Sequence, residues 1–152
     1  MDNELELLAC RFLKYFSMCE FYLKELHYFV PRNGNIIVDW RRFCAENEEE
    51  FFKFISGDVG EYEYHSRLLF LDQPRRQVVE NGSLEWGQLR DVNYDFSGMV
   101  KIIKTIRNNL FHGGKFVVGG WDDPDRTEQL LNSSVVIVKI VLKFLERKYH
   151  MG

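Results

Sequence analysis

The sequence predicts an all-α fold, a helical bundle with four long helices plus a short irregular or helical insertion. Three observations carry this. Apolar residues recur at steps of three and four over four long stretches. The last stretch opens on a strong helix-start signal. The chain also has 13 Phe, 7 Tyr and 3 Trp among its 152 residues, enough large side chains for a core without staples. That length suits one domain over residues 1–152.

The first helix is expected from about Glu4 to Phe29. Leu5, Leu8, Phe12, Tyr15, Cys19, Tyr22, Leu26 and Val30 form its apolar stripe, and Pro31, Asn33 and Gly34 are expected to end it. A second helix starts after Asp39, a suitable N-cap. Trp40, Phe43, Phe51 and Phe54 follow its inner face, and Gly57 closes it. Gly60 to Leu71 reads equally as a short helix or an extended segment. Between Pro74 and Tyr94, Asn81-Gly82 and Gly87 suggest an irregular connection with short turns of helix.

The next helix begins near Asp95 or Ser97 and runs to Gly113-Gly114, with Met99, Ile103, Ile106 and Leu110 as its core stripe. A turn-rich loop spans Val117 to Pro124. In the last helix, Asp123 is the N-cap and Pro124 the first helical residue. Leu131, Val135, Val138, Leu142, Leu145 and Tyr149 then keep an unbroken helical period, which outweighs the strand-like run of β-branched residues from Val135 to Val138. Long amphipathic helices of this kind favour a bundle.

Hydrophobic residues make up 45% and charged residues 28%, as in ordinary globular chains. A formal charge of -3 argues against coating nucleic acid through bulk charge, so any such role must rest on a local patch. Cys10, Cys19 and Cys44 are scattered with no CxxC pair, and His27, His65 and His150 show no ligand spacing; no metal site is expected. No Gly-rich phosphate loop, GxSxG elbow or HExxH occurs, so no cofactor is expected. The acidic start MDNELELL does not read as a signal peptide. The apolar run from Val135 to Leu142 is broken by Lys139 and too short to span a membrane. A cytoplasmic protein with reduced thiols and no membrane partner is expected. Arg41-Arg42 and Arg75-Arg76 are basic pairs that read as surface charge rather than an RNA track, and Glu46 to Glu50 reads as a solvated face.

The segment IRNNLFHGGK, Ile106 to Lys115, holds the chemistry. Each helical residue turns the chain by about 100°. With the Met99 to Leu110 stripe facing the core, Asn108 and His112 point the opposite way and stack on one face. Lys101 and Lys104 lie on or beside that face. Arg107 sits on the flank, with a side chain long enough to reach toward His112, and Lys115 follows just past the helix end. Metal-independent RNA cleavage needs such groups: His for proton transfer, Arg to clamp phosphate oxygens through paired donors, Asn to orient phosphate or ring. The unpaired carbonyls of the last turn favour the protonated imidazole. Gly113 and Gly114 allow a C-terminal cap and leave room for another backbone. By spacing alone the commoner reading is a surface or capping histidine with solvating lysines.

These residues resemble the signature of the HEPN superfamily, an arginine followed by four to six residues and a histidine, often with Asn directly after the Arg. Here it reads Arg107-Asn108-Asn109-Leu110-Phe111-His112, at the end of the penultimate long helix. The motif covers about ten residues, and the helical architecture extends the match loosely over most of the chain. The resemblance implies a metal-independent endoribonuclease that leaves cyclic-phosphate ends, acts in toxin–antitoxin, anti-phage or stress systems, and joins two copies of the motif in a homodimer cleft. It implies catalytic roles for Arg107, Asn108 and His112, substrate affinity from Lys101, Lys104 and Lys115, and an antitoxin or defence protein as a further partner. Some members are inactive dimerisation, nucleotide- or protein-binding modules, and that alternative stays open. In toxins paired with a minimal nucleotidyltransferase a Tyr often stands two places after the His; here Gly114 does, so the resemblance does not extend to that mechanism.

Overall fold

The computed structural model describes residues 3–111, 116–117, 120–121 and 123–152. Five helices dominate it: α1 (Asn3–Glu25), α2 (Trp40–Ile55), α3 (Val59–Leu71), α4 (Phe96–Phe111) and α5 (Pro124–Met151). Two antiparallel hairpins, β1 (Phe29–Arg32) with β2 (Asn35–Val38) and β3 (Arg76–Glu80) with β4 (Ser83–Gly87), lie between helices. A shorter pair, β5 (Phe116–Val117) with β6 (Gly120–Trp121), falls in the expected loop before α5. The fold is therefore mostly helical rather than purely α, and the expected irregular insertion is a hairpin.

Both longer hairpins turn on Asn-Gly. Asn33 and Gly34 have φ of 51° and 80°, and Asn81 and Gly82 have 51° and 78°. Two successive residues at positive φ make a tight turn whose twist matches the flanking strands. Arg32 accordingly pairs with Asn35, and Glu80 with Ser83. The expected helix terminator at Asn33-Gly34 thus belongs to a turn. The end of α1 lies earlier than expected. His27 adopts φ 65°, its N–H bonds the Lys24 carbonyl at 3.0 Å, and the Tyr28 N–H bonds the Leu23 carbonyl at 2.7 Å. That pair of bonds is a left-handed helix stop, here without the usual glycine.

Asp39 caps α2 as expected, its Oδ1 accepting from the Arg42 N–H at 3.0 Å. α2 ends at Ile55, just before the expected stop at Gly57, and a 3-10 turn over Ser56–Asp58 leads into α3. Tyr62, Ser66 and Leu69 are the buried face of α3, so the ambiguous segment is a helix. Asp123 caps α5, accepting from the Arg126 N–H at 3.4 Å.

The core runs through all five helices. α1 lies along α5 in the same direction, with Lys139 over the Tyr15 ring and Tyr149 beside Tyr22. Aromatic rings fill the junction where α4 begins. Phe51 of α2 stacks on Phe96 at 4.2 Å between centroids, with Phe144 of α5 and Tyr62 of α3 set edge-on to Phe51. Such pairs add about 0.5–1.5 kcal/mol each beyond their burial. Among the described residues no helix is long and apolar enough to cross a membrane.

Candidate functional site

α4 carries the candidate site, and its first turn is held from three sides. Asp95 Oδ1 accepts from the Gly98 N–H at 2.7 Å, and Glu48 of α2 accepts from the Phe96 N–H at 3.0 Å. These carboxylates satisfy N–H groups that helix geometry leaves unpaired and meet the positive end of its dipole. Gly98 completes the fit. A Cβ there would lie 1.8 Å from the Asn93 carbonyl oxygen, so only glycine lets the incoming chain fold back this closely.

Met99, Ile103, Ile106 and Leu110 are buried as expected, and Ile102 with them. The helix is thereby locked in rotation, which places its other residues. Asn108 and Lys104 are exposed, and Lys101 and Arg107 are half-buried. Arg107 Nη1 donates to Asn108 Oδ1 at 3.2 Å, while its guanidinium stands 5.8 Å from the centre of the Phe16 ring of α1. Lys101 Nζ donates to the Arg90 carbonyl, which draws it toward the loop before α4. His112 and Lys115 lie outside the described residues. Four of the six expected site residues are thus placed: Lys101, Lys104 and Asn108 on the side of α4 turned away from its core stripe, and Arg107 on the flank between them and α1.

An open groove of about 650 Å³ runs between α2 and α4. Trp40, Cys44 and Val100 form its floor, and Arg41, Lys101 and Lys104 stand along it with Asn108. Asp91 is its acidic wall residue. Burial pushes the Cys44 thiol up to about 12; Glu48 and Asp95 push the same way, and Lys104 pulls it back down. Cys44 is therefore a buried floor residue that keeps its proton at neutral pH.

Two features escaped sequence reasoning. Asn109 is buried at 5% exposure and donates from Nδ2 to the Arg75 carbonyl at 2.8 Å, tying α4 to the start of the second hairpin. Its place three residues after Ile106 and seven after Ile102 already puts it on the core side. Arg41 and Arg42 also part company. Arg42 bonds the His27 carbonyl, pairs with Glu46 at 3.6 Å and lies 5.0 Å from the Tyr28 ring centre. Arg41 is exposed and turns to the groove. The sequence does hold a signal for the difference: Arg42 stands three residues after Asp39 and four before Glu46, whereas Arg41 has Val38 and Ala45 at those places.

Among the described residues, no group of three or more His, Cys, Asp and Glu side chains could hold a metal ion. Compared with protein families, curated proteins and solved structures, the chain matches none.

Proposed function

We propose that this chain is a metal-independent endoribonuclease of the HEPN type, a toxin or defence effector that works as a homodimer in the cytoplasm. One observation carries the reading. Arg107 and Asn108 are hydrogen-bonded to each other on the accessible side of the final described turns of α4, next to Lys104. An amide and a guanidinium joined in this way present several N–H donors to one phosphate.

In this reading His112 transfers protons, Arg107 stabilises the phosphate and Asn108 orients both. The 2′-hydroxyl loses its proton and its oxygen bonds to phosphorus. The bond from phosphorus to the 5′-oxygen breaks, and that oxygen takes up a proton. The products are a 2′,3′-cyclic phosphate and a 5′-hydroxyl. Lys101, Lys104 and Lys115 add substrate affinity, and a second protomer completes the cleft. An antidote protein is the expected further partner.

The test uses purified protein with mixed RNAs in EDTA. Removing a positioned proton-transfer group costs about 10²–10⁴-fold in rate, so His112→Ala and Arg107→Ala should each lose at least about 100-fold. Absence of cleavage, or equal cleavage by the variants, overturns the reading. A second reading, a non-catalytic dimerisation or ligand-binding module, draws on Arg107 resting against Phe16. It expects no growth arrest on expression, whereas a nuclease arrests growth and both variants relieve it.

A further inference from the structure

We infer that the groove between α2 and α4 is a track for the backbone of one RNA strand, with Arg41 and Lys104 as its phosphate contacts; this rests on the nuclease reading of α4. The substrate class is single-stranded RNA.

Three observations lead there. First, the cations come from two helices and face one hollow. Arg41 of α2 and Lys104 of α4 are both exposed, and among the described residues neither forms an ion pair. Arg42 of the same helix as Arg41, by contrast, is engaged by Asp39 and Glu46. On a chain of net charge -3 with 23 acidic residues, two exposed cations over one groove are a local attraction for a polyanion. Second, the groove leads to the candidate chemistry. Lys101, Lys104 and Asn108 all line it, at successive turns of α4, so a strand lying along the helix would pass from the lysines to the amide hydrogen-bonded to Arg107. Third, the floor is apolar, made by the buried Trp40, Cys44 and Val100. Cations that follow the backbone over an apolar bed are the pattern by which proteins hold single strands.

Shape decides between strand and duplex. Packed helices stand about 8–10 Å apart at their axes. A hollow between two of them is narrower than any double helix, and its volume, about 650 Å³, is in the range of a small-ligand pocket. One strand can enter. Asp91 is the opposing charge on the wall and should weaken the fit.

The experiment measures binding apart from cleavage. The full-length His112→Ala protein is titrated in EDTA with a short fluorescein-labelled oligouridylate, with a duplex of equal length, and with a polyglutamate peptide. The single strand should bind best. Arg41→Gln with Lys104→Gln should weaken it by about tenfold or more. Each neutralised contact should flatten the plot of log affinity against log salt by about 0.7. Asp91→Asn should tighten binding, a gain that a misfolded variant would not give. In the otherwise wild-type protein, the Arg41→Gln and Lys104→Gln pair should raise KM for RNA cleavage.

Affinity and salt slope unchanged by the two glutamines overturn the track. So does a duplex or polyglutamate that binds as well as the strand. Groove-dependent binding with no cleavage by the wild-type protein supports the track and removes the nuclease. Cleavage that depends on Arg107 with KM indifferent to Arg41 and Lys104 keeps the nuclease and removes the track.

Discussion

Along α4, two faces of one helix carry different kinds of residue. Met99, Ile102, Ile103, Ile106, Asn109 and Leu110 are buried, while Ser97, Lys104 and Asn108 stand in solvent and Lys101 is half-buried. The inner face answers to volume, because interiors are close-packed and feel the loss of a single methylene. The outer face is not held by the core, so its residues can change with little effect on folding. The comparison separates what folds the chain from what could act on a substrate, and substitutions can break or sharpen it.

The inner face gives the largest effect. Ile103 is 4% exposed and faces Val138 of α5 and Trp40 of α2 across the core. Ile103→Ala removes apolar contact and leaves a cavity, at a cost of about 2–5 kcal/mol. Urea unfolding followed by far-UV circular dichroism checks this. A cost under about 1 kcal/mol would mean that α4 is not seated as described.

Alkaline pH gives the next. Burial, with Glu48 and Asp95 second and third, raises the Cys44 thiol from 9.0 to about 12. Burial, then Glu20 and Glu146, raises the Cys19 thiol further still. Burial also raises the Tyr62 hydroxyl. A group whose folded value is raised keeps its proton in the folded chain while the unfolded chain loses it. Stability from the thiols is therefore intact below about pH 9 and falls as pH rises toward 12 for Cys44. Between pH 8 and pH 10 the two thiols, with a smaller share from Tyr62, should therefore lower stability by a few kcal/mol at most. The unfolding free energy should be lower at pH 10 than at pH 8, and Cys44→Ala should shrink that difference. An unchanged difference in that variant would place Cys44 in water.

The first turn of α4 offers a smaller effect of a different kind. Gly98→Ala sets a methyl against the Asn93 carbonyl, which must move. Such overpacking costs about 1–3 kcal/mol. A variant as stable as wild type would show that the chain before α4 does not fold back so closely.

Legibility in the sequence followed the range of the interactions involved. The stripe of α4 and the starts of α2 and α5 could be read because period and caps are local. The helix over Val59–Leu71 could not, since its buried face includes Ser66 and only packing on α5 decides the matter. The two hairpins did leave a local signal, Asn-Gly beside β-branched residues such as Ile36, Ile37, Val78 and Val79. It reads as a helix stop or a loop unless strand pairing is considered. The end of α1 at His27 had no signal, since a non-glycine at positive φ is seldom foreseeable. At the candidate site, the outward placement of Lys104 and Asn108 followed from the helical period. The groove did not, because Arg41 enters it through the packing of α2 beside α4.

Asn108 and Asn109 bring the comparison down to adjacent residues of one amino-acid type. Asn109 is buried and donates to the Arg75 carbonyl, whereas Asn108 is exposed and accepts from Arg107. Asn109→Ala deletes a hydrogen bond to a carbonyl that water can partly reach, so the net cost should be about 0.5–1.5 kcal/mol. Asn108→Ala should shift stability by less than about 0.5 kcal/mol, as surface changes do. For RNA cleavage under saturating substrate the order should reverse. Asn108→Ala should lower kcat, because a side chain that orients the guanidinium is gone, and Asn109→Ala should leave it near wild type below its melting temperature. Thermal unfolding and single-turnover cleavage on the same two proteins decide it. If both substitutions lowered stability equally and neither touched cleavage, the division of α4 into a folding face and an acting face would fail at the residues meant to separate them.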